Sequence, residues 1–168
     1  MSTLTVKELA APTGFDLKIA SGETLDLKSQ GTVTMPEGSV LQVVTVHDTT
    51  VVAGTTTITS AGVTITPSST ASKIFISFSI ALETSGSTTD RGVHTKIFRG
   101  ATQIMYQPYQ LYASSDISQR IGKETYTLLD SPNTTSAITY TFTAIATTGT
   151  ARMNNYGSTY LTLMEIQG

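Results

Sequence analysis

The fold is decided by the stretch KIFISFSIAL, residues 73–82, in which large apolar side chains occupy every second position. These apolar positions are Ile74, Ile76, Phe78, Ile80 and Leu82. Between them lie Phe75, Ser77, Ser79 and Ala81. A period of two is that of a β-strand, because successive side chains point to opposite faces of a sheet. The stretch therefore predicts a strand with one face in a hydrophobic core.

The same alternation recurs in AITYTFTAIA, residues 137–146, where Ile138, Tyr140 and Phe142 alternate with threonines. Further strands are predicted at residues 39–47, 51–59, 62–66, 92–99, 102–111, 121–129 and 158–166. Turn-forming segments such as Ser60-Ala61-Gly62 and Ser131-Pro132-Asn133 separate them. Many short strands joined by such turns are typical of an antiparallel sandwich or jelly roll. We therefore predict an all-β fold whose main domain is an antiparallel, jelly-roll-like β-sandwich.

The N-terminal part of the chain has a different pattern. In GETLDLKSQGTVTMPEGSVLQVV, residues 22–44, short alternating runs are interrupted by Gly22, Gly31 and Gly38. These runs carry too little apolar surface to fold alone. We predict an N-terminal attachment arm and short β-rich shaft at residues 1–38, followed by a head domain at residues 39–168. The one helix candidate is VKELAA, residues 6–11, which Pro12 ends.

Composition excludes several classes of function. The 168 residues include 10 Lys and Arg and 12 Asp and Glu, a net charge of −2 that gives no electrostatic basis for binding nucleic acid. The absence of cysteine excludes disulfides and thiolate chemistry. No apolar run is long enough to predict membrane insertion. Residues 49–72 carry no charge at all, so they are either buried within their own domain or covered by sister subunits.

The sequence offers little for catalysis, and we predict no enzyme, no metal and no cofactor. His47 and His94 each lie within a predicted strand, and no G-x-S-x-G elbow or phosphate-binding loop accompanies them. Asp90 with His94 supplies too few ligands for a metal site. The carboxylates that could form a glycosidase pair have no characteristic spacing. They are Glu83, Asp90, Asp116, Glu124 and Asp130.

The stretch QIMYQPYQLY, residues 103–112, is the best candidate for recognition. It combines tyrosines with glutamines, and Pro108 marks it as an edge strand or an interrupted one. Tyrosine rings cover the apolar faces of a ligand while amides hydrogen-bond to its hydroxyls, which suits a sugar. The alternative is that these tyrosines are half-buried strand residues with solvated hydroxyls. The loop from Ser85 to Asp90 and the Asn154-Asn155-Tyr156 turn are further candidates. The predicted receptor contacts are Tyr106, Gln107, Tyr109, Gln110, Tyr112, Asn154, Asn155 and Tyr156.

Four stretches, taken in order along the chain, resemble tail-fibre proteins of marine and cyanobacterial phages. The opening MSTLTVKELAAPTG resembles their attachment segment, and GETLDLKSQGTVTMPEGSVLQVV resembles their passage from shaft to head. ITPSSTASKIFISFSI resembles the entry of a head strand, and STYLTLMEIQG resembles the closing strand. The resemblance implies a homotrimeric virion protein with a β-rich head, without cofactor and usually without catalysis.

The leading hypothesis is thus a virion-located, trimeric tail fibre whose head binds a host surface glycan. Its arm would attach to other virion proteins. The first alternative is a capsid decoration or head-fibre protein that binds no receptor. The second is a glycan depolymerase whose site is built from the carboxylates.

Overall fold

The computed structural model describes residues 21, 35–86, 90–114 and 118–168. The chain divides after Thr34, and every strand described belongs to the second unit, Met35–Gly168. The predicted helix at residues 6–11 and most of the predicted arm lie outside the described residues. Within them the structure has eleven strands and no helix. The strands are β1 (Val40–Asp48), β2 (Val52–Gly54), β3 (Thr57–Thr59), β4 (Val63–Ile65), β5 (Lys73–Ser85), β6 (Arg91–Arg99), β7 (Thr102–Ala113), β8 (Gln119–Asp130), β9 (Ile138–Ala146), β10 (Thr150–Met153) and β11 (Thr159–Ile166).

The strands form two antiparallel sheets. The first sheet has the order β1-β11-β5-β8. Alongside the last residues of β5, β10 pairs with β5 in place of β11, and β2 pairs with the other side of β10. In the second sheet, β3 and β4 both pair with β9, which is followed by β6 and β7. If β3 and β4 are counted as one interrupted strand and β2 and β10 are left out, eight strands remain. Renumbered from 1 to 8 along the chain, they have the order 1-8-3-6 in the first sheet and 2-7-4-5 in the second. This is the strand order of a jelly roll, so the predicted fold class is confirmed.

The core lies between the two sheets and is built by the alternation seen in the sequence. The alternate apolar residues of β5, from Ile74 to Leu82, are all buried, as are Tyr140 and Phe142 of β9. Aromatic packing links the sheets, because the rings of Tyr126 on β8 and Phe142 lie 5.3 Å apart. The two strands with the clearest period of two thus supply the centre of the hydrophobic core.

Two details differ from the sequence prediction. The single strand predicted at residues 51–59 is two short strands that belong to different sheets. The chain bends sharply after Gly54, where an added Cβ would lie 2.8 Å from Cγ2 of Ile58. In addition, β10 was not predicted, because four residues are too few to show a periodic pattern.

The uncharged segment at residues 49–72 divides its side chains between core and solvent. Ile58, Val63 and Ile65 are buried in the core of their own domain. Most of the threonines between them are exposed, and Val51 keeps 55% of its surface accessible. Burial within the domain therefore explains the apolar residues of the segment but not its lack of charge.

A buried carboxylate joins three parts of the sandwich. Glu165 on β11 is fully buried, and its Oε2 accepts a hydrogen bond from Nε2 of Gln42 on β1 at 2.6 Å. Its Oε1 accepts bonds from the backbone N–H of Ser68 at 2.7 Å and from the Ser68 hydroxyl at 2.6 Å. Burial by itself raises the pKa of Glu165, but hydrogen bonds from Gln42, Ser68 and Ser72 bring that pKa below its ordinary value. The residue thus ties β1 and β11 to the loop between β4 and β5.

Acid is expected to destabilise the fold through three such carboxylates. The pKa values of Asp48, Glu83 and Glu165 are all lowered, because the hydrogen bonds each receives outweigh the effect of its burial. The unfolded chain therefore binds protons first, and the stability that these groups supply is complete above about pH 5 and is lost as the pH falls further. Urea unfolding at pH 7 and at about pH 3.5 measures the loss as a lower midpoint. An unchanged midpoint would contradict these pKa shifts.

Candidate recognition surface

The candidate surface is built on the β6–β7 hairpin at the edge of the second sheet. Along β6 the residues Val93, Thr95 and Ile97 are buried, so His94 and Lys96 face outward. Lys96 pairs with Tyr106, which therefore lies on the same outer face. Gly92 pairs with Tyr112, which places this second tyrosine on that face as well.

The hairpin is interrupted by a bulge in β7. Val93 pairs with Leu111 and Thr95 pairs with Gln107. An advance of two residues along β6 therefore corresponds to four residues along β7, which leaves two extra residues in β7. The extra residues lie around Pro108, which cannot donate a backbone hydrogen bond. Tyr109 follows it with a φ of 51°, in the left-handed region that residues other than glycine rarely adopt. Backbone strain of this kind costs roughly 1–3 kcal/mol and persists only where the surroundings hold it.

Two neighbours hold Tyr109 in this conformation. Its backbone N–H donates to Nδ1 of His94 at 3.2 Å, and its ring meets the His94 ring edge-on with centroids 4.7 Å apart. Gly92 leaves room for the ring, because an added Cβ there would lie 2.7 Å from Cδ1 of Tyr109. A histidine and a glycine on β6 therefore position the tyrosine of the bulge on β7.

The result is an exposed group of rings that we call the tyrosine cluster: Tyr106, Tyr109, Tyr112 and His94. The three tyrosines keep 45%, 59% and 42% of their surface accessible, respectively. The His94 ring lies 5.8 Å from that of Tyr106, and the rings of Tyr109 and Tyr112 are 6.4 Å apart. Nζ of Lys96 lies 5.5 Å above the Tyr106 ring, which adds a cation–π contact. The cluster is thus a continuous aromatic surface with a cation at one end.

A cleft of about 530 Å³ adjoins the cluster. Its lining consists of Asp90, Arg91, Tyr109, Tyr112, Thr147 and Thr148. A hydrogen bond to the Asp90 carboxylate raises the pKa of the Tyr112 phenol, and the Thr148 hydroxyl donates to the Asp90 carbonyl at 2.8 Å. The cleft therefore combines an aromatic wall with hydroxyls and a carboxylate, a set that can bind a ligand rich in hydroxyl groups.

The predicted glutamines lie apart from the tyrosines. Gln107 pairs with Thr95, whose side chain points inward, so Gln107 is on the opposite side of β7 from Tyr106. Together with Gln110 it lines a second depression of about 370 Å³ between β7 and β8. The sequence placed the glutamines and tyrosines in one contact surface, whereas the structure divides them between two sides of an edge strand.

The predicted Asn154-Asn155-Tyr156 turn joins β10 and β11 of the first sheet, whereas the tyrosine cluster lies on the second. Asn154 is 5% exposed, donates through Nδ2 to the Thr50 carbonyl at 2.9 Å and accepts from the Thr159 hydroxyl at 2.7 Å. Nδ2 of Asn155 donates to Oε2 of Glu83 at 2.6 Å. Tyr156 is largely exposed, at 63%, and Asn155 is exposed as well. Both amide side chains thus hold the turn in place.

Sequence reasoning did not foresee the supporting role of His94 and Gly92. His94 was interpreted as an ordinary strand residue, and Gly92 received no role. The register at the turn, where Arg99 pairs with Thr102, would have placed Lys96 opposite Met105. One shift between Ile97 and Phe98 places it opposite Tyr106 instead, and the bulge shifts the register again between Thr95 and Val93. The threonines of the cleft, Thr147 and Thr148, follow β9 and are brought in only by the sheet topology.

The described ranges also bear on metal binding and membrane insertion. Over residues 35–86, 90–114 and 118–168, no three His, Asp or Glu side chains approach closely enough to hold a metal ion. In the same ranges no helix has the length and hydropathy needed to cross a membrane.

Comparison with solved structures finds the VP2 protein of infectious bursal disease virus. A mutant VP2 protein in derived T=1 particles is 12% identical with a TM-score of 0.45, and the match covers 85% of this chain and 40% of that one. The VP2 subviral particle is 14% identical with a TM-score of 0.43, and the match covers 87% of this chain and 42% of that one. The chain therefore spans about two fifths of the length of these proteins. No protein-family profile and no curated protein matches the sequence.

Proposed function

We propose that the chain is a virion structural protein, a homotrimeric tail fibre whose jelly-roll head binds a host surface glycan at the tyrosine cluster. The observation that carries the proposal is an exposed aromatic surface whose central residue is held in a strained conformation. Four stretches of the sequence resemble phage tail-fibre proteins in the same order along the chain, and this resemblance supports placing the protein on a virion. Jelly rolls serve both as viral coat domains and as lectins, which is an analogy at the level of the fold alone.

The cluster has the chemistry that a sugar requires. A tyrosine ring packs against the apolar C–H face of a pyranose, while hydroxyl and carboxylate groups hydrogen-bond to its rim. Tyr109 and Tyr112 supply the rings, and Asp90, Thr147 and Thr148 supply the polar groups of the adjoining cleft. Because the hydrogen bond from Tyr109 to His94 fixes the bulge in advance, less conformational entropy is lost when a ligand binds.

A trimer would raise the affinity without new contacts. Single sugar sites are weak, but three sites on one fibre and several fibres on one particle make later binding events intramolecular. The N-terminal arm would join the fibre to other virion proteins. The mechanism is non-covalent attachment, with no enzyme activity and no cofactor.

Replacing Tyr109 by alanine is expected to weaken binding of the full-length protein to host cells about 30-fold, the loss typical of a hot-spot residue. Tyr109→Phe keeps the ring and should lose less. Binding is measured by titrating labelled protein onto cells, while light scattering confirms that the oligomer is unchanged. The control is Tyr160→Ala, which removes an exposed tyrosine, 42% accessible against 59% for Tyr109, from the first sheet. Equal binding by the Tyr109 and Tyr160 variants would remove the tyrosine cluster from the proposal.

A capsid decoration or head-fibre protein is the second candidate. The exposed, uncharged threonines of residues 49–72 favour it, because such a surface can pack laterally against a coat without charge repulsion. Antibody labelling of intact particles separates the two: label on the tail supports the fibre, and label on the capsid supports decoration. A glycan depolymerase would instead release reducing sugar from host polysaccharide.

A further inference from the structure

The outer face of the first sheet is organised in rows across its four main strands. The strands β1, β11, β5 and β8 pair in register, so one outward residue from each forms a row. One row is entirely apolar and consists of Val43, Met164, Phe75 and Leu129. The adjacent row carries only hydroxyls and consists of Thr45, Thr162, Ser77 and Thr127. We call these eight residues the two-row face.

The apolar row is open to solvent at both ends. Val43 and Leu129 each keep 55% of their surface accessible, and Phe75 and Met164 between them are half-buried. No residue of the two-row face carries a formal charge. The apolar row and the hydroxyl row together form a continuous uncharged strip across the outer face of the sheet.

We propose that the two-row face is the contact surface between copies of this chain within the oligomer. This inference rests on the proposed function for its trimer, and it deepens that function by placing the subunit contact on the sheet opposite the tyrosine cluster. The glycan-binding surface would then point away from the neighbouring copies.

The chemistry of the face fits an identical partner. Copies of one chain carry the same charges, so a face that carries no charge can approach another copy without like-charge repulsion. Hydroxyls both donate and accept, so the hydroxyl row can bond to a second hydroxyl row in either direction. Thr45 and Thr162 already pair in this way within one chain, with their oxygens 3.2 Å apart.

The size of the face is also informative. Four strands spaced about 4.8 Å apart and two rows of side chains give the two-row face an area of roughly 300 Å². Each partner contributes roughly 800 Å² to a standard interface, so this face is smaller. The face alone would therefore hold copies together weakly. The apolar row lies at the end of β1 where the chain enters the domain, since Val43 is three residues beyond the start of that strand. If the preceding arms join the chains, the linked heads meet at millimolar effective concentration, and a weak face is sufficient.

Cysteine crosslinking of the full-length chain tests the proposal, because the protein contains no cysteine of its own. Val43→Cys and Leu129→Cys are introduced together, one at each end of the apolar row. Within one chain these positions are separated by three strand spacings, about 14 Å, so a disulfide can form only between copies. Mild oxidation at micromolar protein concentration should give covalent dimers and trimers on a denaturing gel.

The control pair is Thr57→Cys with Thr64→Cys, two exposed positions on the second sheet. We expect at least tenfold less crosslinked product from this pair. Adding Thr45→Lys and Thr127→Lys to the first pair should reduce its crosslinking by a similar factor, because like charges would then meet across the contact. Circular dichroism verifies that each variant is folded.

Three results would overturn the proposal: a monomer by light scattering, equal crosslinking of the two cysteine pairs, or crosslinking unaffected by the lysines. None of these results concerns the glycan. Binding of the same preparations to host cells is scored separately, so failure of the subunit contact and failure of the proposed receptor site remain distinguishable.

Discussion

Replacing Phe142 by alanine is expected to lower the free energy of unfolding by about 4 kcal/mol, the typical loss for a fully buried phenylalanine. Phe142 lies at the centre of β9 with no accessible surface, and its ring packs on Tyr126 of the opposite sheet. The substitution removes the ring and leaves a cavity that two stacked sheets cannot close. Urea unfolding followed by circular dichroism measures the change.

The matched control for this prediction is Phe98→Ala. Phe98 lies on β6, whose pattern places it on the outer face, where it is half-buried. Its replacement should cost roughly 1 kcal/mol, because little apolar area is lost and no enclosed cavity forms. Equal losses for the two variants would show that the core does not lie between the sheets as described.

Replacing Glu165 by leucine is expected to cost about 3 kcal/mol, although it places an apolar residue in a buried position. The carboxylate accepts hydrogen bonds from the Gln42 amide and from both the N–H and the hydroxyl of Ser68. Leucine would remove this acceptor from all three donors, although Nε2 of Gln42 also donates to the Thr66 carbonyl at 2.7 Å. Hydrogen bonds to a charged group contribute roughly 1.5–3 kcal/mol each. Thermal unfolding measures the loss as a fall in Tm of roughly 10 °C.

Glu37→Leu is the control for this second prediction, since Glu37 lies in an exposed turn and should change stability by less than about 0.5 kcal/mol. Glu165→Gln should fall between the two, because it keeps one acceptor oxygen but brings an amide donor against the Gln42 donor. A leucine variant as stable as the parent protein would mean that Glu165 is not bonded as described.

The alternation in β5 and β9 was sufficient to predict the sandwich, because a half-buried strand imposes its period on the sequence directly. Ile74, Phe78 and Phe142 were all assigned to the core from this pattern, and all are buried. The assignment of β2 and β3 to different sheets was not predictable in the same way. It depends on a bend after Gly54 and on partners that lie 84 to 101 residues further along the chain.

The environment of Glu165 illustrates the same limit. The sequence shows a carboxylate within an apolar strand but not the serine loop that supplies its donors, because Ser68 lies 97 residues earlier. For the recognition surface, the sequence identified the three tyrosines and the interrupting proline. It did not identify His94 as their support, since the bulge that brings His94 Nδ1 to the Tyr109 N–H depends on the register of two paired strands.

The bulge in β7 has a consequence for how the protein behaves when it is crowded. β7 is an edge strand, and a straight edge offers its unpaired N–H and C=O groups to any other strand, which is how sheets fuse into aggregates. Pro108 withholds one donor, and the left-handed turn at Tyr109 breaks the regular spacing of the others. The irregularity that displays the tyrosine also makes the edge a poor template for strand addition, so many heads can lie side by side and stay separate.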